Sequence, residues 1–207
     1  MTQIHHRARI LLVRHGHYER VGDLGDRVWG LSPLGRRQAV HTGRRLLHLL
    51  DTGSTEFGGL FASPWPRAKQ TAEIASKEIK LDRITIKQYL HESLPLVDAE
   101  RSAKWGIHPD LPHTTEDDRK TTLRQVNKVR EQFFRPSKRD TTVVLFTHGN
   151  LIRYLVNTVL SLPLEAWSRL SIAHASITEI HAYDDGFEAL VAFNGTNHLP
   201  VSMVTSA

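Results

Sequence analysis

The stretch LLVRHGHY, Leu11 to Tyr18, runs from an aliphatic segment fit for burial straight into Arg14, His15 and Gly16. A second stretch, VVLFTHGN, Val143 to Asn150, ends the same way in His148-Gly149. Short, nearly continuous apolar runs are what strands of a parallel sheet need when helices cover both faces. The runs at 9–14 (RILLVR), 59–63 (GLFAS) and 142–147 (TVVLFT) fit that description and are expected at the centre of the sheet. Three more strand patterns fall at 84–90 (ITIKQYL), 176–182 (SITEIHA) and 188–193 (EALVAF).

Helical patterns separate these runs. Ser32-Pro33 supplies an N-cap and a first helical residue, after which Ala39, Gly43, Leu46, Leu47 and Leu50 recur at helical spacing up to Asp51-Thr52-Gly53. Ser63 is expected to cap a second helix that confines Pro64 and Pro66 to its first turn. Leu123, Val126, Val129 and Phe133 mark a third, stopped near Pro136; Gly149 to Leu160 forms a fourth, and Pro163 to Trp167 opens a short fifth. Strands alternating with helices predict βαβ units and an α/β fold, a three-layer α/β/α sandwich with a mostly parallel central sheet, as one domain over 1–207. The segment 98–119, DAERSAKWGIHPDLPHTTEDDR, is rich in charge, His and Pro and reads as a surface excursion over one end of the sheet, where it would govern substrate access.

Bulk composition narrows the chemistry. The chain has 207 residues, enough for one well-buried core, and its 40% hydrophobic and 24% charged content is that of a soluble globular protein. It contains no cysteine, which excludes disulfides, thiolate metal sites and cysteine nucleophiles and fits a reducing compartment. Covalent chemistry therefore falls to serine, histidine or a carboxylate. No apolar run approaches the ~20 residues of a membrane helix, and MTQIHHRARI at the start lacks a signal-peptide apolar region, so the expectation is a cytoplasmic chain without a membrane anchor. The 27 basic and 22 acidic residues leave a charge of +5, which favours anionic ligands. Without a Lys/Arg tract, zinc-finger spacing or aromatic-interleaved basic strand, nucleic acid is a poor candidate, and a phosphorylated small molecule or protein is a better one.

In open α/β sheets ligands gather outside the carboxyl ends of the parallel strands. Arg14-His15-Gly16 stands at one such end; His148-Gly149-Asn150 stands at another, where the strand passes directly into a helix whose first N–H groups attract anions. Ser63-Pro64-Trp65-Pro66-Arg67 would place Arg67 on the same rim if the sheet is parallel there, and Leu90-His91-Glu92 can deliver a carboxylate. Two arginines, two histidines, a helix N-terminus and one glutamate describe a phosphate site. Guanidinium groups match phosphoryl oxygens in pairs and keep their charge. An imidazole with one nitrogen tied to a carbonyl is a competent nucleophile, and a buried glutamate can protonate a leaving oxygen.

Taken together these residues resemble the histidine phosphatases, the phosphoglycerate mutase-like superfamily. The matching signals are Arg14-His15-Gly16; the run Ser63, Arg67, Ala68 and Thr71; Glu92 after the third strand; and the late His148-Gly149. Leu31 to Arg36, His148 to Tyr154, Pro163 to Trp167, Arg169-Leu170-Ser171 and Ser176-Ile177-Thr178 are similar to the branch containing the mitochondrial serine/threonine protein phosphatase. The resemblance implies a metal-independent phosphatase that needs no cofactor. His15 would be the nucleophile, Arg14, Arg67, a protonated His148 and Gly149 would surround the phosphoryl group, and Glu92 would act as acid and then base. It also allows a homodimer. Two positions depart from the pattern: His17 replaces a usual Glu or Gln, and Tyr18-Glu19-Arg20 stands where true mutases carry Trp-Asn, which disfavours mutase activity.

Other readings of single residues stay open at this level. His15 and His17 would share a face of an extended strand and could ligate a metal, but Arg14 and Arg67 would repel the cation. His198 either borders the pocket or holds its loop, and Trp65 and Trp105 either line a substrate groove or pack. Trp29 and Trp167 are expected to be buried, His41, His48, His108 and His113 to lie at the surface, and Arg153 to serve an ion pair or cap carbonyls. Three functions remain: a phosphomonoesterase on phosphoprotein or small metabolite, a phosphoglycerate mutase, and a phosphate-binding module without turnover.

Overall fold

The computed structural model describes residues 6–20, 27–51, 55–97, 113–135 and 138–206. Six strands, β1 (Arg7–Arg14), β2 (Glu56–Ala62), β3 (Ile84–Ile86), β4 (Thr141–Thr147), β5 (Ile177–Tyr183) and β6 (Glu188–Gly195), form one sheet in the order β3-β2-β4-β1-β5-β6. The β3, β2, β4 and β1 strands run parallel, while β5 and β6 join antiparallel beyond β1. Among the described residues the helices are α1 (Pro33–Asp51), α2 (Pro66–Glu78), α3 (Glu116–Phe133) and α4 (Gly149–Val159).

The continuous apolar runs are explained by the two cores. Alternate side chains point to opposite faces of a strand, and here both faces are covered. Leu11, Val13, Val144 and Phe146 pack with Leu46 of α1 and Ala72 and Ala75 of α2. Ile10, Leu12 and Leu145 pack on the other side with Val126 and Val129 of α3 and with Leu151, Ile152 and Leu155 of α4. The architecture is thus the expected α/β/α sandwich with a mostly parallel sheet, and β1 and β4 lie at its centre.

Four local expectations need correction. The third strand stops at Ile86, and the chain turns through a 3-10 segment, Gln88–Leu90, that drops the fully buried Leu90 into the core. An edge strand pairs with only one neighbour, so core burial of Leu90 wins over continued pairing. Ser63 does not cap α2: Trp65 is the N-cap residue, no side chain caps it, and Pro66 is the first helical residue with Pro64 outside. The third helix begins well before Leu123, at Glu116, behind a Thr115–Asp118 capping box, so 115–119 belongs to a helix start and not to an excursion. Residues 98–112 of that segment, with Trp105 and His108, and the stops at Thr52-Gly53 and Pro136, lie outside the described residues. Leu47 and Leu123 sit at the expected helical spacing yet are exposed.

Ser32 does cap α1, its hydroxyl accepting from the Gly35 N–H at 3.1 Å. That helix start is pressed against the loop carrying His15. A Cβ on Gly16 would stand 2.7 Å from the Gly35 carbonyl oxygen, and one on Gly35 would collide with the carbonyl of His17. Neither obstacle is a flexible side chain. Gly35→Ala is therefore expected to destabilise the protein by about 1–3 kcal/mol, the range for overpacking a rigid contact. A urea midpoint equal to that of the wild type would contradict this.

Candidate active site

The carboxyl ends of β1 and β4 lie side by side. Arg14 pairs with Thr147 in the parallel register, and the His15 N–H donates to the Thr147 carbonyl at 3.0 Å. His15 and His148 follow directly, with ring centroids 5.1 Å apart. Arg67, from the first turn of α2, joins them. Arg14, His15, Arg67 and His148 are 6%, 1%, 1% and 0% exposed, so four nitrogen-rich side chains share one desolvated space.

His15 has a defined tautomer. Its Nδ1 lies 2.9 Å from the Gly16 carbonyl oxygen. A carbonyl can only accept, so Nδ1 carries the hydrogen and Nε2 presents a lone pair. Arg67 donates to that Nε2 through Nε at 3.1 Å. Burial, then the neighbouring His148, Arg14 and Arg67, hold the His15 pKa well below 6.5, against the opposing pull of the Gly16 carbonyl. The loop itself is pinned by Thr71, whose hydroxyl accepts from the Gly16 N–H at 3.0 Å and donates to the Arg67 carbonyl at 2.7 Å. Thr71 thereby ties the His15 loop to the helix that carries Arg67.

Arg67 is also held between two aromatic faces, its guanidinium carbon 4.8 Å from the Tyr18 ring centre and 4.9 Å from that of Trp65. Trp65 in turn lies parallel to His91 at 6.1 Å and edge-on to His148 at 5.0 Å. Trp65 therefore packs against Arg67, His91 and His148. Arg14 donates to the Ile172 carbonyl at 2.6 Å. Its pKa falls to about 10 through burial, with Glu92 pulling it back up. Gly149 leaves room for this guanidinium, since a Cβ there would come within 3.3 Å of Arg14 Nε.

Glu92 closes the other side. One carboxylate oxygen accepts from the Asn150 N–H at 3.0 Å and the Ser93 N–H at 3.1 Å. The anion at the N-terminus of α4 is therefore the protein's own carboxylate, where the sequence reading placed a ligand. Burial raises the Glu92 pKa above 4.5, opposed by Arg14, Arg67 and the two N–H bonds. His148 differs from expectation as well. Its Nε2 is 2.8 Å from the Ser63 hydroxyl, and burial, then Arg67, His91 and Arg14, keep its pKa well below 6.5. Burial first, and then the nearby guanidinium groups, thus disfavour the imidazolium form of His148.

Several site residues escape sequence reasoning. Ser63, read as a helix cap, instead braces His148. His17 bonds the Ser32 hydroxyl through Nδ1 at 2.8 Å and, through its backbone N–H, Gln38 Oε1 at 2.7 Å. His174 places its ring 5.6 Å from that of His15. The only local signal for it is a histidine in the otherwise apolar Ile172-Ala173-His174-Ala175. Other positions resolve in favour of structure. His198 Nε2 lies 3.2 Å from the Thr42 hydroxyl and 3.1 Å from the Ala175 carbonyl, which holds its loop, and Arg153 caps the Leu170 carbonyl at 2.7 Å. Trp29 and Trp167 are half-buried, Trp167 donating to the Leu96 carbonyl at 2.8 Å.

The shifted groups set the pH dependence of stability. The folded state raises the Glu92 pKa, so ionising this carboxyl costs stability as pH rises through the folded value. Glu92→Gln keeps an acceptor for both N–H groups without the charge. Its unfolding free energy should match the wild type below pH 4.5 and exceed it increasingly toward neutral pH. His15, His148 and His174 shift the other way: the unfolded chain takes up their protons first, so wild-type stability declines as pH falls through 6.5. Urea titrations from pH 4 to 8 read both limbs, and a Glu92→Gln variant less stable than wild type at pH 8 would refute the first.

Against known proteins, the chain is 32% identical over 206 residues to the mitochondrial serine/threonine-protein phosphatase Pgam5 of Drosophila persimilis, covering 97% of this chain and 68% of that protein. The Drosophila erecta protein of the same name is 30% identical over 201 residues, covering 95% and 66% respectively. Among solved structures, a mycobacterial glucosyl-3-phosphoglycerate phosphatase superposes with TM-score 0.62 at 22% identity, covering 92% of this chain and 100% of that one. A phosphoglycerate mutase from Plasmodium falciparum gives TM-score 0.60 at 26% identity, covering 95% and 96%. The mitochondrial naming of the relatives lends no support to the expected cytoplasmic location. Among the described residues, no helix is long and apolar enough to cross a membrane. The family description "Histidine phosphatase superfamily (branch 1)" matches residues 10–195, a span that holds Arg14, His15, Arg67, Glu92 and His148. The chain belongs to the histidine phosphatase superfamily, branch 1.

Proposed function

We propose that the protein is a metal-independent phosphomonoesterase that works through a phosphohistidine on His15, with a phosphoprotein or a small phosphorylated metabolite as substrate. The observation that carries this reading is the Nε2 lone pair of His15, oriented by the Gly16 carbonyl and set among Arg14, Arg67 and His148. An entering phosphoryl group takes Arg67 off that lone pair and pairs with the Arg14 and Arg67 guanidinium groups. The Nε2–P bond forms as the P–O ester bond breaks, and Glu92, whose raised pKa supports a proton-carrying role, protonates the departing oxygen. Water then attacks the phosphohistidine, Glu92 takes its proton, and inorganic phosphate leaves with His15 restored. The site supplies positive charge and alignment, the two requirements of phosphoryl transfer. The arginines do the work that a cation does elsewhere.

A protein substrate is favoured by the names of the Pgam5 relatives and a small metabolite by those of the structural neighbours. Mutase activity is the weaker reading, because Tyr18-Glu19-Arg20 replaces the Trp-Asn pair, and a homodimer is supported only by family likeness. A cytoplasmic location has the cysteine-free composition in its favour and the mitochondrial relatives against it.

Hydrolysis of an aryl phosphate should continue in EDTA, and rapid acid-free quenching should trap phosphate on His15. His15→Ala should lower kcat/KM by about a thousandfold or more. Glu92→Gln should cost about a hundredfold on alkyl phosphates and less on aryl phosphates, whose leaving groups need less protonation. Full activity in His15→Ala would overturn the proposal, and isomerisation of phosphoglycerate faster than its hydrolysis would favour the mutase.

A further inference from the structure

His174 sits just before β5, 3% exposed, with its ring 5.6 Å from His15, 5.4 Å from His17 and 6.0 Å from Tyr18. A chain of hydrogen bonds leads to one of its two nitrogens. The His17 N–H can only donate, and it donates to Gln38 Oε1, so the Gln38 amide turns its NH2 the other way. That NH2 donates to the Met203 carbonyl at 2.6 Å and to the Thr205 hydroxyl oxygen at 3.1 Å. The Thr205 hydroxyl keeps its own hydrogen and a second lone pair, so its 3.0 Å contact with His174 Nδ1 suits either tautomer of the ring. Burial, then Arg14 and His17, lower the pKa to about 3 against the opposing pull of the Thr205 backbone, so the ring stays neutral.

Among the described residues His174 Nε2 has no hydrogen-bond partner although it is fully buried. Two further nitrogens of the same site, Arg14 Nε and His148 Nδ1, are buried without a partner as well. Buried polar atoms are almost always paired, Arg14 Nε can only donate, and three unpaired nitrogens around His15 mark where a ligand rich in acceptors belongs.

We propose that His174 is a further phosphoryl-binding residue, donating through Nε2 to an oxygen of the group attacked by His15, with the Thr205 hydroxyl donating to Nδ1 so that the ring proton sits on Nε2. This rests on the phosphate-site reading above. It also makes the C-terminal segment part of the site. The His174 backbone N–H donates to the Thr205 carbonyl at 2.8 Å, and Ala173 bridges to Ser206, so residues 205 and 206 run alongside the segment that carries His174.

The test is binding of orthovanadate and inorganic phosphate by calorimetry, alongside aryl phosphate kinetics and melting temperature. His174→Ala should weaken both anions about ten- to a hundredfold, the range for losing a hydrogen bond to a charged acceptor. His174→Gln, which restores an N–H donor, should recover most of the affinity. Thr205→Val should fall between, because the ring proton is then free to move to Nδ1. Should His174→Ala not fold, His174→Phe fills the space without a donor and reads the same loss. Wild-type anion affinity in the donorless variant would overturn the proposal, and so would equal impairment of the Ala and Gln variants. A wild type that binds phosphate but hydrolyses nothing would sink the hydrolase reading while leaving this one standing.

Discussion

The parallel pairing of β1 with β4 is the constraint from which the site follows. Its register sets Val13 against Phe146 and Arg14 against Thr147, so the two strands run out together and their next residues face one opening. That is why two separated apolar runs both end in His-Gly. Each delivers an imidazole to the same point, and each needs a small residue immediately after it. Gly16 lies too close to the Gly35 carbonyl for a side chain, and Gly149 lies beneath the Arg14 guanidinium. A one-residue slip would exchange the faces of every side chain in β1 and send Ile10 and Leu12 away from their core. The apolar packing thus enforces the alignment of the two imidazoles without contributing any chemistry to it.

Electrostatically the site is poised for a dianion. Two guanidinium groups are buried beside two neutral imidazoles, with one carboxyl whose pKa is raised. Concentrating cations in a poorly solvated space costs free energy, visible in the lowered pKa of Arg14. The cost is carried by the two apolar cores on either face of the sheet. Glu92 moderates it, since its carboxyl interacts with Arg14 and occupies the N-terminus of α4. A phosphoryl group would complete the neutralisation, and its charge would favour proton retention on His148 and Glu92, in the direction the leaving-group step needs.

Around this centre the protein builds a second layer from distant parts of the chain. Tyr18 and Trp65 clamp Arg67, Thr71 ties the His15 loop to α2, and Ser63 orients His148. The antiparallel addition of β5 and β6 beyond β1 carries the preceding segment, with His174, over the pocket, and the C-terminal residues lock that segment through Gln38. Rigid elements position the chemistry, and loops near the strand ends tune it, as is common in open α/β sheets.

Periodicity and composition determined the α/β/α layers, the central runs of β1 and β4 and the Ser32 cap of α1, and the motif resemblance joined Arg14, His15, Arg67, Glu92 and His148 as one group. These are local signals: a strand or helix declares its buried faces by spacing, and a residue at a strand's carboxyl end is placed by the strand itself. Only the tertiary structure decided that the third strand is cut short, that Ser63 serves His148 and not a helix, that burial disfavours a proton on His148, and that His174 comes to lie between His15 and Thr205. The reason is distance along the chain. The Ser63–His148 and His174–Thr205 bonds join residues 85 and 31 positions apart, and nothing in the sequence near either partner specifies the other. Charge states are subject to the same limit, because a pKa depends on which groups folding gathers around an atom.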